Sequence, residues 1–155
     1  MIPTKCKQVL TRLQGRRLAT AESLTGGGIG AAITGVSGAS AVYAGGIISY
    51  TNEIKHRLLG VPMELLDTLG AVSGPVARAM ALGAREALQA DVAVSVTGLA
   101  GPGGDEFGHP VGTVFIGYAD GETALFREYH FTGDREQVRS QTVAAALELI
   151  LELAK

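Results

Sequence analysis

The chain has 155 residues, of which 46% are hydrophobic and 18% are charged, and this composition excludes an intrinsically disordered protein. Its 13 basic and 15 acidic residues give a net charge of -2, and only 5% of its residues are aromatic, so we expect no nucleic-acid partner. Cys6 is the only cysteine, which rules out an internal disulfide and a metal held by several thiolates.

The length of the chain is that of one domain with a core of its own, and we expect residues 1–155 to form a single domain. No apolar run reaches the roughly 18 residues that a membrane-spanning helix needs. The first residues also lack the charged and apolar regions of a signal peptide. We therefore expect a cytoplasmic protein with no membrane partner.

The first third of the chain predicts a helix, a strand, a second helix and a second strand. Apolar residues recur at helical spacing over residues 2–13. Arg16–Ala21 predicts a short strand, and Thr25 is a suitable N-cap for the helix that follows. Val42–Tyr50 is almost continuously apolar, which predicts a central strand covered on both faces.

The middle of the chain predicts three helices and a buried strand. The helices are expected over residues 52–59, over residues 62–69 and from Ser73-Gly74-Pro75 onward, because proline suits a first helical turn. Asp91–Thr97 predicts the buried strand. A long stretch rich in glycine and proline follows, and loops of that length are usually functional or mobile.

The last third predicts a hairpin and a final helix. Val111–Ala119 and Thr123–Phe131 are two strands joined by a turn at Asp120-Gly121, and Asp134 caps the helix. Five strands and about six helices in alternation predict an α/β fold. We expect three α/β/α layers, with helices on both faces of a mixed sheet.

The stretch "TAESLTGGGIG", residues 20–30, places Ser23 between a strand and a helix. In open α/β sheets, ligands bind at the carboxyl ends of strands. We expect the backbone N–H groups of Thr25, Gly26 and Gly27 to be free at the helix start, where they suit an oxyanion or a phosphate. A glycine-rich bend that serves only close packing is an equally good interpretation.

Two further strand ends carry chemically active side chains. Tyr50 ends a strand, and Lys55 lies near the start of the next helix, where the helix dipole and burial both favour a neutral amine. An exposed, solvated lysine is the more common situation. Thr97 and Gly98 end another strand, and the glycines after them either allow a ligand to approach the backbone or belong to a flexible surface loop.

The remaining candidates are three histidines and two arginines. His56, His109 and His130 lack the spacing of metal ligands, so we expect no metal site. Arg135 and Arg139 lie one helical turn apart, a spacing that suits a phosphate but is also common for solvated surface residues.

Six blocks of the sequence, in this order, resemble the CinA C-terminal domain family, and the resemblance extends from about Val9 to Leu147. The blocks are "TAESLTGG", "GGIISYTNEIKHRLLGV", "GAVSGPVARAMALGAR", "VSVTGLAGPGG", "PVGTVFIGYA" and "FTGDREQVRSQTVAAAL". The chain looks like a stand-alone form, without the N-terminal domain of the full-length competence/damage-inducible proteins.

The characterised enzymes of that family are nicotinamide-nucleotide amidases. The resemblance implies hydrolysis of the carboxamide of nicotinamide mononucleotide, which yields nicotinate mononucleotide and ammonia, in pyridine-nucleotide salvage. It implies no metal and no cofactor. By position in the motifs, it implies that Ser23 is the nucleophile, Tyr50 the catalytic tyrosine and Lys55 the catalytic lysine.

The resemblance also implies a ligand contact at Thr97 and Gly98, and Arg139 is the candidate for the 5′-phosphate. Leu24 stands where the commonest form of the family motif has cysteine. We expect little effect, because a side chain after the nucleophile points away from it in an extended segment.

Two other functions are consistent with the same residues. One is a regulatory module that binds a nucleotide without hydrolysing it, and the other is a purely structural protein. A mean hydropathy of +0.25, with abundant alanine and glycine, leads us to expect a homo-oligomer.

Overall fold

Five strands form one mixed sheet. They are β1 (Leu18–Glu22), β2 (Tyr43–Ile48), β3 (Val92–Gly98), β4 (Thr113–Ala119) and β5 (Ala124–His130). The computed structural model describes residues 1–155 and orders the strands β2-β1-β3-β4-β5. β2 and β3 run parallel to β1, whereas β4 and β5 continue the sheet as antiparallel strands. The predicted mixed sheet is confirmed.

Six α-helices cover the two faces of the sheet. They are α1 (Ile2–Arg12), α2 (Gly28–Thr34), α3 (Asn52–Leu59), α4 (Met63–Leu69), α5 (Gly74–Ala87) and α6 (Arg135–Leu153), and a short 3-10 turn over Ala39–Ala41 precedes β2. α1, α2 and α6 pack on one face, and α3, α4 and α5 pack on the other. The expected three-layer arrangement is therefore confirmed. No helix combines the length and the apolar character of a bilayer span.

The central strand β3 divides the interior into two cores of different character. Val92, Val94 and Val96 belong to the larger core, under α1 and α6, whereas Ala93 faces α5. Small residues on the α5 face allow that helix to approach the sheet closely. At Gly117, for example, a Cβ would lie 2.2 Å from the carbonyl oxygen of Ala77.

The prediction that Val42–Tyr50 is a central strand is wrong. β2 lies at the edge of the sheet and pairs only with β1, and its side chains alternate between half-buried and exposed. The prediction failed because the apolar run includes Ala44, Gly45 and Gly46, whose side chains are small or absent and need no cover. At Gly46 a Cβ would lie 2.2 Å from the Thr20 hydroxyl oxygen, so the glycine there reflects contact with β1.

The helix starts agree with the sequence at α6 and differ at α2. The Asp134 carboxylate accepts a hydrogen bond from the Gln137 N–H at 2.9 Å, and the Gln137 side chain accepts one from the Asp134 N–H at 2.8 Å. This capping box confirms the predicted cap. Thr25 as the N-cap of α2 is wrong, because Gly27 occupies that position and the Thr25 hydroxyl donates to Glu22 instead.

Candidate active site

A cavity lies where the strand order reverses. β2 and β3 lie on opposite sides of β1 in the sheet, so the chain leaves β1 toward one side and later returns on the other. At such a point the carboxyl ends of the neighbouring strands β1 and β3 border a crevice. The cavity there has a volume of about 320 Å³ and is lined by 13 residues. Of the residues singled out in the sequence, its lining includes Ser23, Tyr50, Lys55, Thr97, Gly98 and Arg135.

Ser23 and Lys55 meet at the floor of this cavity. Ser23 follows β1 directly, and its N–H donates to the Val96 carbonyl of β3 at 3.1 Å. The Lys55 amine lies 3.1 Å from the Ser23 hydroxyl oxygen, and also 3.1 Å from the Tyr50 carbonyl oxygen. Two strand ends and α3 thus bring together a hydroxyl and an amine that are far apart in the sequence.

The Lys55 amine is buried without an acidic partner. The side chain is 1% exposed, and it takes part in no salt bridge. The residues that line the cavity include no aspartate and no glutamate. Burial lowers the pKa of Lys55 from 10.5 to about 8, because the ammonium form loses its hydration. A buried lysine with a lowered pKa beside a hydroxyl is an arrangement typical of a catalytic base.

Tyr50 reaches this pair through its backbone. Its carbonyl oxygen accepts a hydrogen bond from Lys55, whereas its side chain is 63% exposed and its hydroxyl makes no hydrogen bond. The contact between Lys55 and Ser23 is therefore direct, with no phenol between the two groups.

At the start of α2, where we expect an external anion, the protein places a carboxylate of its own. Glu22, which the sequence reading missed, accepts hydrogen bonds from the N–H groups of Ile29 at 2.7 Å and Gly30 at 2.9 Å. Its signal in the sequence was a single acidic residue inside an otherwise apolar strand, just before a glycine-rich helix start. Its carboxylate occupies the end of the helix dipole that we had assigned to an oxyanion or a phosphate.

Thr25, Gly26 and Gly27 do not line the cavity. The Gly26 N–H donates to the Ser23 carbonyl at 3.1 Å, which closes the turn after the serine. The N–H groups of Thr25 and Gly27 make no hydrogen bond within the protein, so two of the three expected donors are free, although neither residue lines the cavity. The N–H of Leu24 is also without a partner, and Leu24 does line the cavity. In hydrolases with a serine nucleophile, the backbone N–H of the residue after that serine is one of the donors that receive the oxyanion.

Thr97 and Gly98 line the cavity at the end of β3. The Thr97 hydroxyl is buried and donates to the Ala71 carbonyl at 2.7 Å. At Gly98 a Cβ would lie 2.7 Å from the Thr113 carbonyl oxygen, so close packing against β4 accounts for the glycine. Both residues therefore shape the wall of the cavity.

The structure separates the two arginines of α6. Arg135 lines the cavity and donates one hydrogen bond to the Gly101 carbonyl at 2.8 Å. Arg139 does not line it, and its guanidinium donates to the carbonyl oxygens of Leu24 at 2.9 Å and Thr25 at 3.1 Å. Of the two arginines, Arg135 is therefore the one that lines the cavity.

No group of three or more histidine, cysteine or acidic residues is arranged to hold a metal ion. The residues that line the cavity carry three chemically active side-chain groups, the Ser23 hydroxyl, the Lys55 amine and the Arg135 guanidinium, and a backbone N–H without a partner at Leu24.

Comparisons with known proteins all indicate one family. A family model described as the CinA C-terminal domain matches residues 3–154. A CinA-like protein of Citrifermentans bemidjiense is 50% identical over 140 residues, which cover 90% of this chain and 34% of that protein. This chain therefore spans about a third of the length of the CinA-like proteins it matches.

A shorter relative, the nicotinamide-nucleotide amidohydrolase PncC of Pseudomonas putida, is 49% identical over 137 residues, which cover 88% of this chain and 86% of that protein. Among solved structures, a competence-damaged protein (CinA) superfamily protein from Escherichia coli superposes with a TM-score of 0.96 at 35% identity, covering 99% of this chain and 90% of that one. The competence/damage inducible protein CihA from Agrobacterium tumefaciens has a TM-score of 0.95 at 39% identity, covering 99% of this chain and 96% of that one.

The family model spans both Ser23 and Lys55, and the fold of these solved structures extends over almost the whole chain. This chain therefore belongs to the CinA C-terminal domain family.

Proposed function

We propose that this protein hydrolyses the carboxamide of nicotinamide mononucleotide to nicotinate mononucleotide and ammonia. The observation that carries the proposal is the buried Lys55 amine, 3.1 Å from the Ser23 hydroxyl oxygen in a cavity without acidic residues. The P. putida relative is named for this reaction, which supports the choice of substrate.

In the proposed mechanism, neutral Lys55 is the general base. Its lone pair takes the proton of the Ser23 hydroxyl while the serine oxygen attacks the carboxamide carbon. One of its N–H groups remains bonded to the Tyr50 carbonyl, which orients the lone pair toward Ser23. With a pKa of about 8, about a tenth of the Lys55 side chains are neutral at pH 7, so the base form is accessible.

The carbonyl oxygen of the substrate becomes negatively charged as the serine attacks. The N–H of Leu24 donates to that oxyanion, a contribution of about 3 kcal/mol for one well-placed donor. Protonated Lys55 then gives its proton to the leaving nitrogen, and ammonia departs. Lys55 next removes a proton from a water molecule, whose oxygen attacks the acyl-enzyme. As the bond between the carbonyl carbon and the serine oxygen breaks, Lys55 returns this proton to Ser23, and nicotinate mononucleotide leaves.

The charge of the cavity favours a substrate that carries an anion. Lys55 and Arg135 are the only ionisable groups with cationic forms that line it, and no carboxylate opposes them. The Arg135 guanidinium makes one hydrogen bond in the protein and has further N–H groups that can bind the 5′-phosphate. We therefore assign the phosphate to Arg135, and Arg139 to the support of the Leu24-Thr25 turn.

Ser23→Ala should abolish the release of ammonia, because it removes the nucleophile. We expect kcat to fall by at least about 1,000-fold, measured as ammonia released from nicotinamide mononucleotide without added metal. Ser95→Ala is the matched control, since Ser95 is a buried serine that donates to the Ala77 carbonyl and does not line the cavity. The control should keep its activity. Ligand-induced thermal stabilisation of the wild type without any ammonia would instead indicate a nucleotide-binding module.

The rate should depend on the protonation of Lys55. Since only the neutral amine acts as a base, kcat/KM should rise with pH through about 8 and then level off.

Lys55→Met should lower kcat by about 100- to 10,000-fold, whereas Tyr50→Phe should lower it less than about tenfold, because the contact to Lys55 comes from the Tyr50 carbonyl. A larger loss in Tyr50→Phe than in Lys55→Met would identify the phenol as the base.

Lys55→Met should make the fold more stable at pH 7. The lowered pKa means that the unfolded chain binds the Lys55 proton more tightly than the folded one between pH 8 and 10.5. The wild type should therefore become more stable as the pH rises from 8 to 10.5. Below pH 8 the amine is protonated in both states, and the full cost of burying its charge destabilises the fold. Removal of the amine should recover up to about 3 kcal/mol at pH 7 and nothing above pH 10.5. Urea unfolding of both proteins at pH 7, 8 and 9.5 measures the difference, and a less stable variant at pH 7 would contradict it.

Arg135→Gln should weaken the binding of the phosphate. We expect KM for nicotinamide mononucleotide to rise by about 10- to 100-fold with little change in kcat, since one hydrogen bond between charged groups is lost. Nicotinamide riboside lacks the phosphate and serves as the control substrate, for which the variant and the wild type should have similar kcat/KM. An equal loss with both substrates would mean that Arg135 does not meet the phosphate.

A further inference from the structure

Glu22 is the acidic residue immediately before Ser23, and it is almost completely buried, with 2% of its surface exposed. Its Oε1 accepts hydrogen bonds from the Thr25 hydroxyl and the Ile29 N–H, both at 2.7 Å. Its Oε2 accepts from the Gly30 N–H at 2.9 Å and from the Thr20 hydroxyl at 3.3 Å. Both oxygens are thus used as acceptors, as expected for a carboxylate.

No lysine or arginine pairs with this buried carboxylate. Its charge is balanced instead by the first N–H groups of α2 and by two hydroxyls. Burying a carboxylate costs free energy unless such donors surround it. If an amide replaced it, the amide NH2 group would face some of these N–H and O–H donors, and those hydrogen bonds would be lost. The arrangement therefore ties the end of β1 to the start of α2 in one geometry.

Between these two elements lies the turn that carries Ser23. The Thr25 hydroxyl fastens this turn to Glu22 on one side of the sheet. Arg139 from α6, a helix on the same face of the sheet as α2, donates to the carbonyl oxygens of Leu24 and Thr25. Ser23 projects from β1 toward Lys55, on the face opposite to Glu22, because successive side chains of a strand alternate.

We infer that Glu22 is a positioning residue, whose buried carboxylate holds the Ser23–Thr25 turn so that the serine hydroxyl stays in line with the Lys55 amine and the Leu24 N–H stays directed at the cavity. The inference rests on the proposed role of Ser23 as nucleophile. Glu22 makes no contact with the cavity and touches no substrate. Its effect is therefore on rate, since misplacing a reacting group by about 1 Å can lower a rate about 100-fold.

Glu22→Gln tests the role because it preserves the size of the side chain and changes only its hydrogen bonding. We expect kcat for nicotinamide mononucleotide to fall about 10- to 100-fold, with KM within about threefold of the wild type. A second readout is the rate at which a fluorophosphonate labels Ser23, measured by mass spectrometry. In that reaction the serine oxygen forms a bond to phosphorus, fluoride leaves and Lys55 receives the proton. The labelling rate should fall by the same factor as kcat.

Tyr118→Phe is the control for loss of stability alone. Tyr118 is fully buried, its hydroxyl donates to the Asp120 carboxylate at 2.7 Å, and it lies toward the opposite end of the sheet from the cavity. This variant should lower the melting temperature and leave both rates unchanged. If Glu22→Gln keeps both rates within twofold of the wild type, the positioning role is overturned.

A second pair of variants covers the case in which Glu22→Gln does not fold. Thr25→Val removes the hydroxyl that joins the turn to Glu22, and Thr25→Ser keeps it. Both rates should fall in Thr25→Val and return toward the wild-type values in Thr25→Ser. Equal rates in the two variants would overturn the inference.

The two readouts also separate this inference from the proposed reaction. A wild-type protein that labels at Ser23 but releases no ammonia would contradict the amidase proposal, and the labelling rates of the variants would still measure positioning. A wild-type protein that neither labels nor hydrolyses would overturn both, since Ser23 would not be a nucleophile.

Discussion

The Lys55 amine is enclosed beside Ser23 without a carboxylate to balance its charge, and much of the surrounding structure keeps it there. A lysine side chain is long enough to turn toward water unless its helix is held firmly. α3 rests against α5 so closely that a Cβ at Gly83 would lie 1.8 Å from the carbonyl oxygen of Leu59. With α3 packed this closely on α5, the amine is buried and loses its proton more readily than an exposed lysine.

The protein buries two ionisable groups of opposite sign on the two faces of β1, and it stabilises them in different ways. The carboxylate oxygens of Glu22 accept hydrogen bonds from four donors, two backbone N–H groups and two hydroxyls. Lys55 has only two hydrogen-bond partners, the Ser23 hydroxyl and the Tyr50 carbonyl, and is driven toward its neutral form. If the two groups formed an ion pair, Lys55 would be held in its charged form and could not act as a base. β1 lies between Glu22 and Lys55 and keeps the two groups apart.

Periodic apolar patterns and turn residues were sufficient to predict most of the fold. The helix of Asp134, the hairpin at Asp120-Gly121 and the buried strand β3 all depend on local signals that the structure confirms. β2 could not be placed correctly, because alanine and glycine increase the apolar fraction of a strand whether or not anything covers it. Which strands are neighbours in a sheet depends on contacts between distant parts of the chain. No local pattern therefore shows that β2 pairs on one side only.

Individual residues of the site could be proposed from the sequence, but their contacts could not. Ser23 and Lys55 were identified at strand ends and by resemblance, yet their separation of 3.1 Å depends on the sheet order. The choice between Arg135 and Arg139 depends on which side of α6 faces the cavity, and the partners of Glu22 depend on how α2 leaves β1.

The absence of acidic residues from the cavity has a consequence for turnover. In the proposed reaction a neutral carboxamide becomes a carboxylate, so the product is more anionic than the substrate, and it forms beside an amine that is mostly protonated at pH 7. The features that attract the substrate therefore hold the product more tightly. Nicotinate mononucleotide should therefore inhibit the enzyme as a product, and this inhibition should weaken as the solution becomes more alkaline and Lys55 loses its charge.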